Sequence, residues 1–406
     1  MKRTAFAVLL AVATFTSLAP VSASPSSELL AFVGTYTDKT SSKGIYSFRI
    51  DPYTGKISDL GLAAETTNPS FLAVHPSQPF LYAVNESGRD SKVSAFRIDP
   101  ATGKLALLNQ VSAYGEDPCY ITLDRAGKYV FVANYSSGNV VVFPVAQDGK
   151  LGEPTANVRD EGKPGPSNAQ RDGPHAHWIE PAYSFEQSPS AKQPGGHIGN
   201  VYVADLGLDR ILPYQFDATN GTLSKAPTRS NWAPSVTFDP SAKLARGTGP
   251  RHAAFSERGL RMYVLGELQS TVTAFHMAGT DLFTPTVFQR ISTLPKGFSG
   301  RNDAAEIALH RSGKFLYTSN RGNDTIAVFT VDPRGGRLKL EANVSTGGKE
   351  PRHFALDPTG NFLLAENQLS DNIVEFRIDP ATGLLVRNGD TVNVPSPVCL
   401  VFGPIQ

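Results

Sequence analysis

Apolar and polar positions alternate along this chain in short runs of strand length, and four such runs make a unit of about fifty residues that repeats. The first run of each unit opens on a proline or small residue. It reads Pro69-Ser70-Phe71-Leu72, Pro118-Cys119-Tyr120-Ile121, Pro174-His175-Ala176-His177, Pro250-Arg251-His252-Ala253, Ala304-Ala305-Glu306-Ile307, Pro351-Arg352-His353-Phe354 and Pro397-Val398-Cys399-Leu400. The second run is aromatic and β-branched and closes on a polar residue or glycine, at Gly34, Asn85, Asn134, Asp205, Gly266, Asn320 and Asn367. The third ends around an aromatic, as at Phe48, Phe96, Phe143, Phe216, Phe275, Phe329 and Phe376. After it come turns such as Asp99-Pro100-Ala101-Thr102-Gly103, where an acid able to cap the turn, a proline of preset φ and a permissive glycine stand in order.

The unit beginning at Leu29 lacks a first run, and an unattached first run stands at Pro397 to Phe402. Pairing that segment with Leu30 to Gly34 completes blade one from both chain ends and leaves no free sheet edge between them. An open solenoid would need capping repeats, and none is evident. The expected fold is therefore all-β, a seven-bladed propeller of four-stranded blades spanning residues 24–406 as one domain.

Residues 1–23 read differently: Lys2 and Arg3 precede an apolar stretch, which ends at Val21-Ser22-Ala23, a small-residue pattern suited to cleavage. This predicts a removed signal peptide and an exported protein, periplasmic or secreted. No later apolar run is long enough to span a bilayer, so no membrane association is expected once the leader is gone. With 38 basic and 37 acidic side chains, the net charge of +1 makes no electrostatic case for a nucleic-acid partner. Cys119 and Cys399 are too few for a disulfide framework and are expected to be packed thiols.

In an antiparallel hairpin, the start of the first run and the close of the second share one edge. Seven first runs around an axis thus bring their opening residues to one mouth. Those openings hold His175, His177, His252 and His353, four of the eight histidines, with Arg251, Glu306 and Arg352. The residues after the second-run close add Glu86, Glu267 and Arg321, and Asp205 occupies the polar position itself. Charges near a narrow axis are costly to bury unless paired or used. They could be ion pairs tying strands together, Arg251 facing Glu267 and Glu306 facing Arg321, or they could be a site. His75 and His310, at the far strand ends, read as turn residues. Loops at 161–173, 229–249 and 294–303 enter first runs on the mouth side and suit ligand covers or passive excursions, whereas the insertion at 182–198 hangs from the other face.

Gly173-Pro174-His175-Ala176-His177, Asp205 to Arg210, Gly249-Pro250-Arg251-His252, Gly266-Glu267-Leu268, Ser319-Asn320-Arg321-Gly322 and Glu350-Pro351-Arg352-His353-Phe354 occur in order, ending at Pro395-Ser396-Pro397-Val398-Cys399. With these motifs the chain resembles the seven-bladed propeller lactonase family, which includes 6-phosphogluconolactonases and 3-carboxy-cis,cis-muconate lactonizing enzymes. The resemblance covers essentially all of the chain after the leader. It implies a lactone hydrolase without a cofactor, with the family's histidine at His175, its arginines at Arg251 and Arg321 and its glutamate at Glu267. Tyr120 stands where related sequences often carry histidine, and Gly266 where many carry asparagine. An exported enzyme also fits an unphosphorylated lactone better than an intracellular sugar phosphate.

Lactone opening needs an activated water and donors where the carbonyl oxygen gains charge. His175 and Glu267 are the candidate base and its orienter or acid, in either order. Arg251 and Arg321 are candidate anion holders. His177, His252, Glu306, Arg352 and His353 are candidate substrate contacts. Other readings are a muconate-type cycloisomerase on the same residues, or a propeller that binds a ligand or protein without turnover. No metal site is expected, since arginine and histidine dominate the axis and repel a hard cation. A serine route lacks its Gly-x-Ser-x-Gly elbow.

Overall fold

Each four-run unit forms one antiparallel four-stranded sheet, and seven such sheets follow one another around an axis. This computed structural model describes residues 28–182, 198–226, 239–256, 259–277 and 285–403. The expected leader and nearly all of the insertion at 182–198 lie outside the described residues. Among those described, no helix is long and apolar enough to cross a membrane.

Blade 1 is built from both ends of the fold, with Pro397–Phe402 alongside Leu29–Thr35 in the register Ala31↔Phe402 to Thr35↔Pro397. The closing strand lies innermost and Ile57–Glu65 outermost. Blades 2 to 7 have inner strands Leu72–Val74, Pro118–Leu123, Ala176–Ala182, Pro250–Phe255, Asp303–Leu309 and Pro351–Leu356. Blade 4 departs from the repeat. Its outer strand comes in two pieces, with Thr222–Lys225 pairing one half of Arg210–Asp217 and Ala242–Lys243 the other. The described part of the 229–249 loop thus adds to a sheet edge.

Period-two alternation gives each blade two apolar faces, and the faces of adjacent blades interdigitate. Between blades 2 and 3, for example, Tyr82, Val84, Val130, Val132 and Phe143 form one cluster. Full burial of each such side chain contributes about 1.5–3 kcal/mol. The polar tips of the buried tyrosines are satisfied in the next blade. Tyr82, Tyr263 and Tyr317 donate to the carbonyls of Gly149, Gly336 and Gly383 at 3.1, 2.8 and 2.8 Å. On the far face His75 and His310 reach the carbonyls of Gly127 and Gly360, as turn residues that also join blades.

A second set of joints lies on the mouth side. The asparagine closing the second strand donates its amide to the turn that leaves the preceding blade: Asn85 to Thr67 O, Asn134 to Ala113 O, Asn320 to Thr293 O and Asn367 to Thr346 O. Blade 5 has Gly266 there, because a β-carbon would collide with Thr248. Asn320 is the most engaged, since its carbonyl also accepts from the Thr293 hydroxyl at 2.6 Å. Asn320→Ala should lower unfolding stability by about 1–3 kcal/mol by orphaning buried partners, as read by denaturant titration.

Candidate active site

The inner-strand openings converge at the mouth, and those of blades 4 to 7 are turned toward the axis by an irregularity in the hairpin. Register shifts fall between Ala176 and Trp178, Pro250 and Ala253, Ala304 and Ile307, and Pro351 and His353. A bulge of this kind re-aims side chains that a regular ladder would send into the sheet faces.

Glu267 is the hub. Its backbone N–H is held by Gly249 O at 2.8 Å and its carbonyl accepts from Ala304 N, which fixes it at the junction of blades 5 and 6. Its carboxylate lies 3.1 Å from Arg251 Nε and 3.1 Å from Arg321 Nη2. These contacts pair the charges and place one carboxylate between two guanidiniums. Burial alone would raise the Glu267 pKa, but Arg321, Arg251 and Arg352 more than offset it and hold the carboxylate below its ordinary value. Arg251 is brought down to about 10 by burial and by its two arginine neighbours.

His175 lies on the blade 3 side of the mouth. Its ring stacks on Tyr135 with centroids 4.6 Å apart, and Nδ1 lies 3.0 Å from Tyr135 O. A carbonyl only accepts, so Nδ1 carries the proton and Nε2 presents its lone pair, with no hydrogen bond from any described residue. Gly207 allows this approach, because a β-carbon there would strike Gly173 O and crowd the His175 ring. His177 sits deeper, Nε2 4.0 Å from Glu267 and Nδ1 3.6 Å from the Cys119 sulfur. Burial and then Arg251 hold its pKa well below the usual imidazole range. Arg352 reaches across the mouth to blade 1, donating to Tyr36 OH at 3.0 Å, while Tyr36 donates to Glu86 at 2.8 Å.

The remaining candidates form a layer beneath Arg251. His252 Nδ1 is 2.9 Å from Glu306, His353 Nε2 is 3.6 Å from the same oxygen, and His353 Nδ1 is 2.7 Å from Glu366. The structure corrects the expected Glu306–Arg321 pair. In register Arg321 stands opposite Asp303, at the top of the hairpin, while Glu306 lies three residues further down the strand and turns to the axis. Arg321 therefore pairs with Glu267 of the neighbouring blade.

Two cavities flank these layers. One of about 620 Å³ opens beside Tyr36 and Glu86 on the mouth side and is lined by Asp38, Asp117 and Asp371 against the single lysine Lys39. The other, about 540 Å³, enters from the far end, where Phe71 and Tyr120 line it with Glu306 and His353. Tyr120 packs on Phe71 at 4.4 Å and on His252 at 5.0 Å, so it fills the axis. Tyr135 and Tyr36 escaped the sequence reading because it weighed charge. Tyr135 nonetheless directly follows Asn134, in the position that supplies Glu86, Glu267 and Arg321 in other blades.

The buried layer titrates. Burial first, with Arg251, depresses His252 to about 4, whereas two histidines overcome burial to bring Glu306 to about 2. Unfolded imidazole takes up a proton below about pH 6.5 but folded His252 does not until about pH 4, so stability falls across that window. Glu306 is ionised when folded and adds a second loss as pH falls from about 4.5 to about 2. His353, held up by Glu306 and Glu366, has the opposite sign: its stabilisation is present below about 6.5 and is lost as pH rises through its raised folded value. Melting temperature followed against pH should decline from about pH 6.5 to 4, and His252→Gln should flatten part of that segment, the rest belonging to His177, and weaken the lower one as Glu306 loses a partner.

Comparison with known proteins agrees with the fold. The model of the family described as "Lactonase, 7-bladed beta-propeller" matches residues 30–402. A 6-phosphogluconolactonase of Bacillus subtilis is 34% identical over 380 residues, which cover 92% of this chain and 98% of that protein. Among solved structures, a periplasmic gluconolactonase of Pseudomonas aeruginosa superposes with a TM-score of 0.79 at 32% identity, covering 93% of this chain and all (100%) of the other. A Lactobacillus plantarum protein gives 0.80 at 32% identity, covering 92% and 99%.

Proposed function

The chain belongs to the seven-bladed β-propeller lactonase family and is a lactonase, and from that premise we propose that it opens a neutral sugar lactone by water attack at the His175, Arg251, Glu267 and Arg321 cluster. The observation that carries this reading is the pair of buried guanidiniums that Glu267 holds at one mouth, Arg251 Nε and Arg321 Nη2 each 3.1 Å from its carboxylate. Cationic donors fixed in place before reaction suit an oxygen that gains negative charge during it.

In this mechanism His175 Nε2 takes a proton from water as the water oxygen adds to the lactone carbonyl. The oxyanion is received by the guanidiniums of Arg251 and Arg321. When the ring C–O bond breaks, the imidazolium returns its proton to the departing alkoxide, giving the hydroxy acid. Glu267, kept ionised by its arginines, is a poor base and acts by holding both guanidiniums at the mouth.

The substrate class is read from the acidic mouth-side cavity, which Tyr36 and Glu86 join to the cluster through Arg352 and which His175, Arg251, Glu267 and Arg321 do not themselves line. Asp38, Glu86, Asp117 and Asp371 accept hydrogen bonds from sugar hydroxyls and repel a phosphate, and only Lys39 among the lining residues opposes them. The expected leader supports the same choice, because export separates the enzyme from phosphorylated intermediates. The gluconolactonase among the solved relatives is described as periplasmic.

Purified enzyme assayed on gluconolactone and on its 6-phosphate should prefer the neutral ester in kcat/KM, and preference for the phosphorylated one would overturn the substrate reading. His175→Asn should lower kcat by about 10²–10⁴-fold with little change in KM. A folded His175→Asn enzyme with wild-type turnover would remove histidine as the base. Glu267→Gln should raise KM and lower kcat together, since both arginines lose their counter-charge.

A further inference from the structure

Blade 4 makes its mouth-side joint with different chemistry from its neighbours. Where blades 2, 3, 6 and 7 use an asparagine, it has Asp205, and the residue just after the preceding outer strand is Asp160. Both are buried. Asp205 Oδ1 accepts the backbone N–H of His175 at 3.0 Å and of Leu208 at 2.9 Å, while Asp160 Oδ1 accepts the Tyr214 hydroxyl. The second oxygen of each carboxyl has no other donor, and these two side chains are in hydrogen-bond contact with one another. Neighbouring carboxyl oxygens with no other protein donor are satisfied by a proton shared between them.

We propose that Asp160 and Asp205 share one proton and together act as a positioning unit for His175, fixing the backbone from which the imidazole is presented. The inference rests on His175 serving as the base. Elsewhere in the ring an amide makes this joint without charge, so structure alone does not call for two acids here. The pair places one negative charge and a defined acceptor behind His175, while Asp160 carries the proton as a neutral acid.

The surroundings fit this state. Tyr214 of blade 4 faces Asp160, and His175 and Tyr135 face Asp205 from the mouth. Lys225 and Glu161 stand outside, paired to each other at 2.8 Å. Lys225 lowers the Asp160 pKa only as the last of its causes, outweighed by burial and by Asp205. Burial and the neighbouring carboxylate drive the Asp160 pKa well above the carboxylate range. When hydroxide removes the shared proton, two carboxylates repel across the joint and the His175 anchor loosens.

The test compares Asp160→Asn with Asp160→Leu. Asparagine keeps both bonds, with its NH₂ donating to Asp205 and its carbonyl accepting from Tyr214, but has no proton to lose. Leucine should cut kcat by about tenfold or more with KM little changed, and asparagine should restore most of it at neutral pH. In the asparagine variant the alkaline fall of kcat/KM should move up by more than about one pH unit. An unshifted alkaline limb overturns the proposal, since the loss then belongs to another group such as Arg251. If the leucine variant does not fold, the asparagine profile still decides.

Two readouts do not depend on turnover. Wild-type protein at neutral pH should show a protonated-carboxyl infrared band that Asp160→Asn lacks, and exchange of the His175 amide should speed up when that band titrates away. Absence of the band, or exchange indifferent to it, overturns the pairing even if no lactone is hydrolysed. Lack of turnover with both signals present counts instead against His175 as a lactonase base.

Discussion

A ring of sheets has to close, and closure governs everything else in this molecule. Each blade is apolar on both faces and can be buried only between two neighbours, so the first and last blades must meet. The pairing of Leu29–Thr35 with Pro397–Phe402 satisfies that demand. It also sets the site, because identical hairpins around a common axis deliver the same strand position to the same mouth. His175, Arg251, Glu267, Arg321 and Arg352 come from blades 4 to 7, far apart in sequence, and converge for that reason.

Convergence brings an electrostatic problem, which the layers of the axis resolve by alternating sign. Three guanidiniums surround Glu267 at the mouth, with Glu86 reaching the third through Tyr36. Beneath them Glu306 and Glu366 flank His353, while His252 stays neutral against Arg251. Arg251, Arg321, Glu306 and His353 each have an opposite partner within ion-pairing range, which is what a low-dielectric axis requires. Arg352 reaches its carboxylate only through the Tyr36 hydroxyl.

Much of this was legible because strand periodicity and proline-led run openings survive in every unit. The Arg251–Glu267 contact followed from hairpin geometry alone. The Glu306 partner did not, since a bulge between Ala304 and Ile307 leaves no trace in the alternation of residue types. The two-residue strand Ala242–Lys243 is too short to carry a pattern. Asp160 stands one residue beyond a strand, among loop residues, and its meaning emerges only when it is seen against Asp205. Tyr135 was legible by position but was passed over because it carries no charge.

The strand that seals blade 1 is the last of the fold to be made, although its partner is the first. Blades 2 to 7 can assemble in the order of synthesis, but the circle stays open, with one strand edge bare, until the C-terminal segment arrives. Locking therefore waits for that last strand. Losing the segment would undo the whole circle rather than one blade, because every sheet relies on neighbours that only a finished ring supplies.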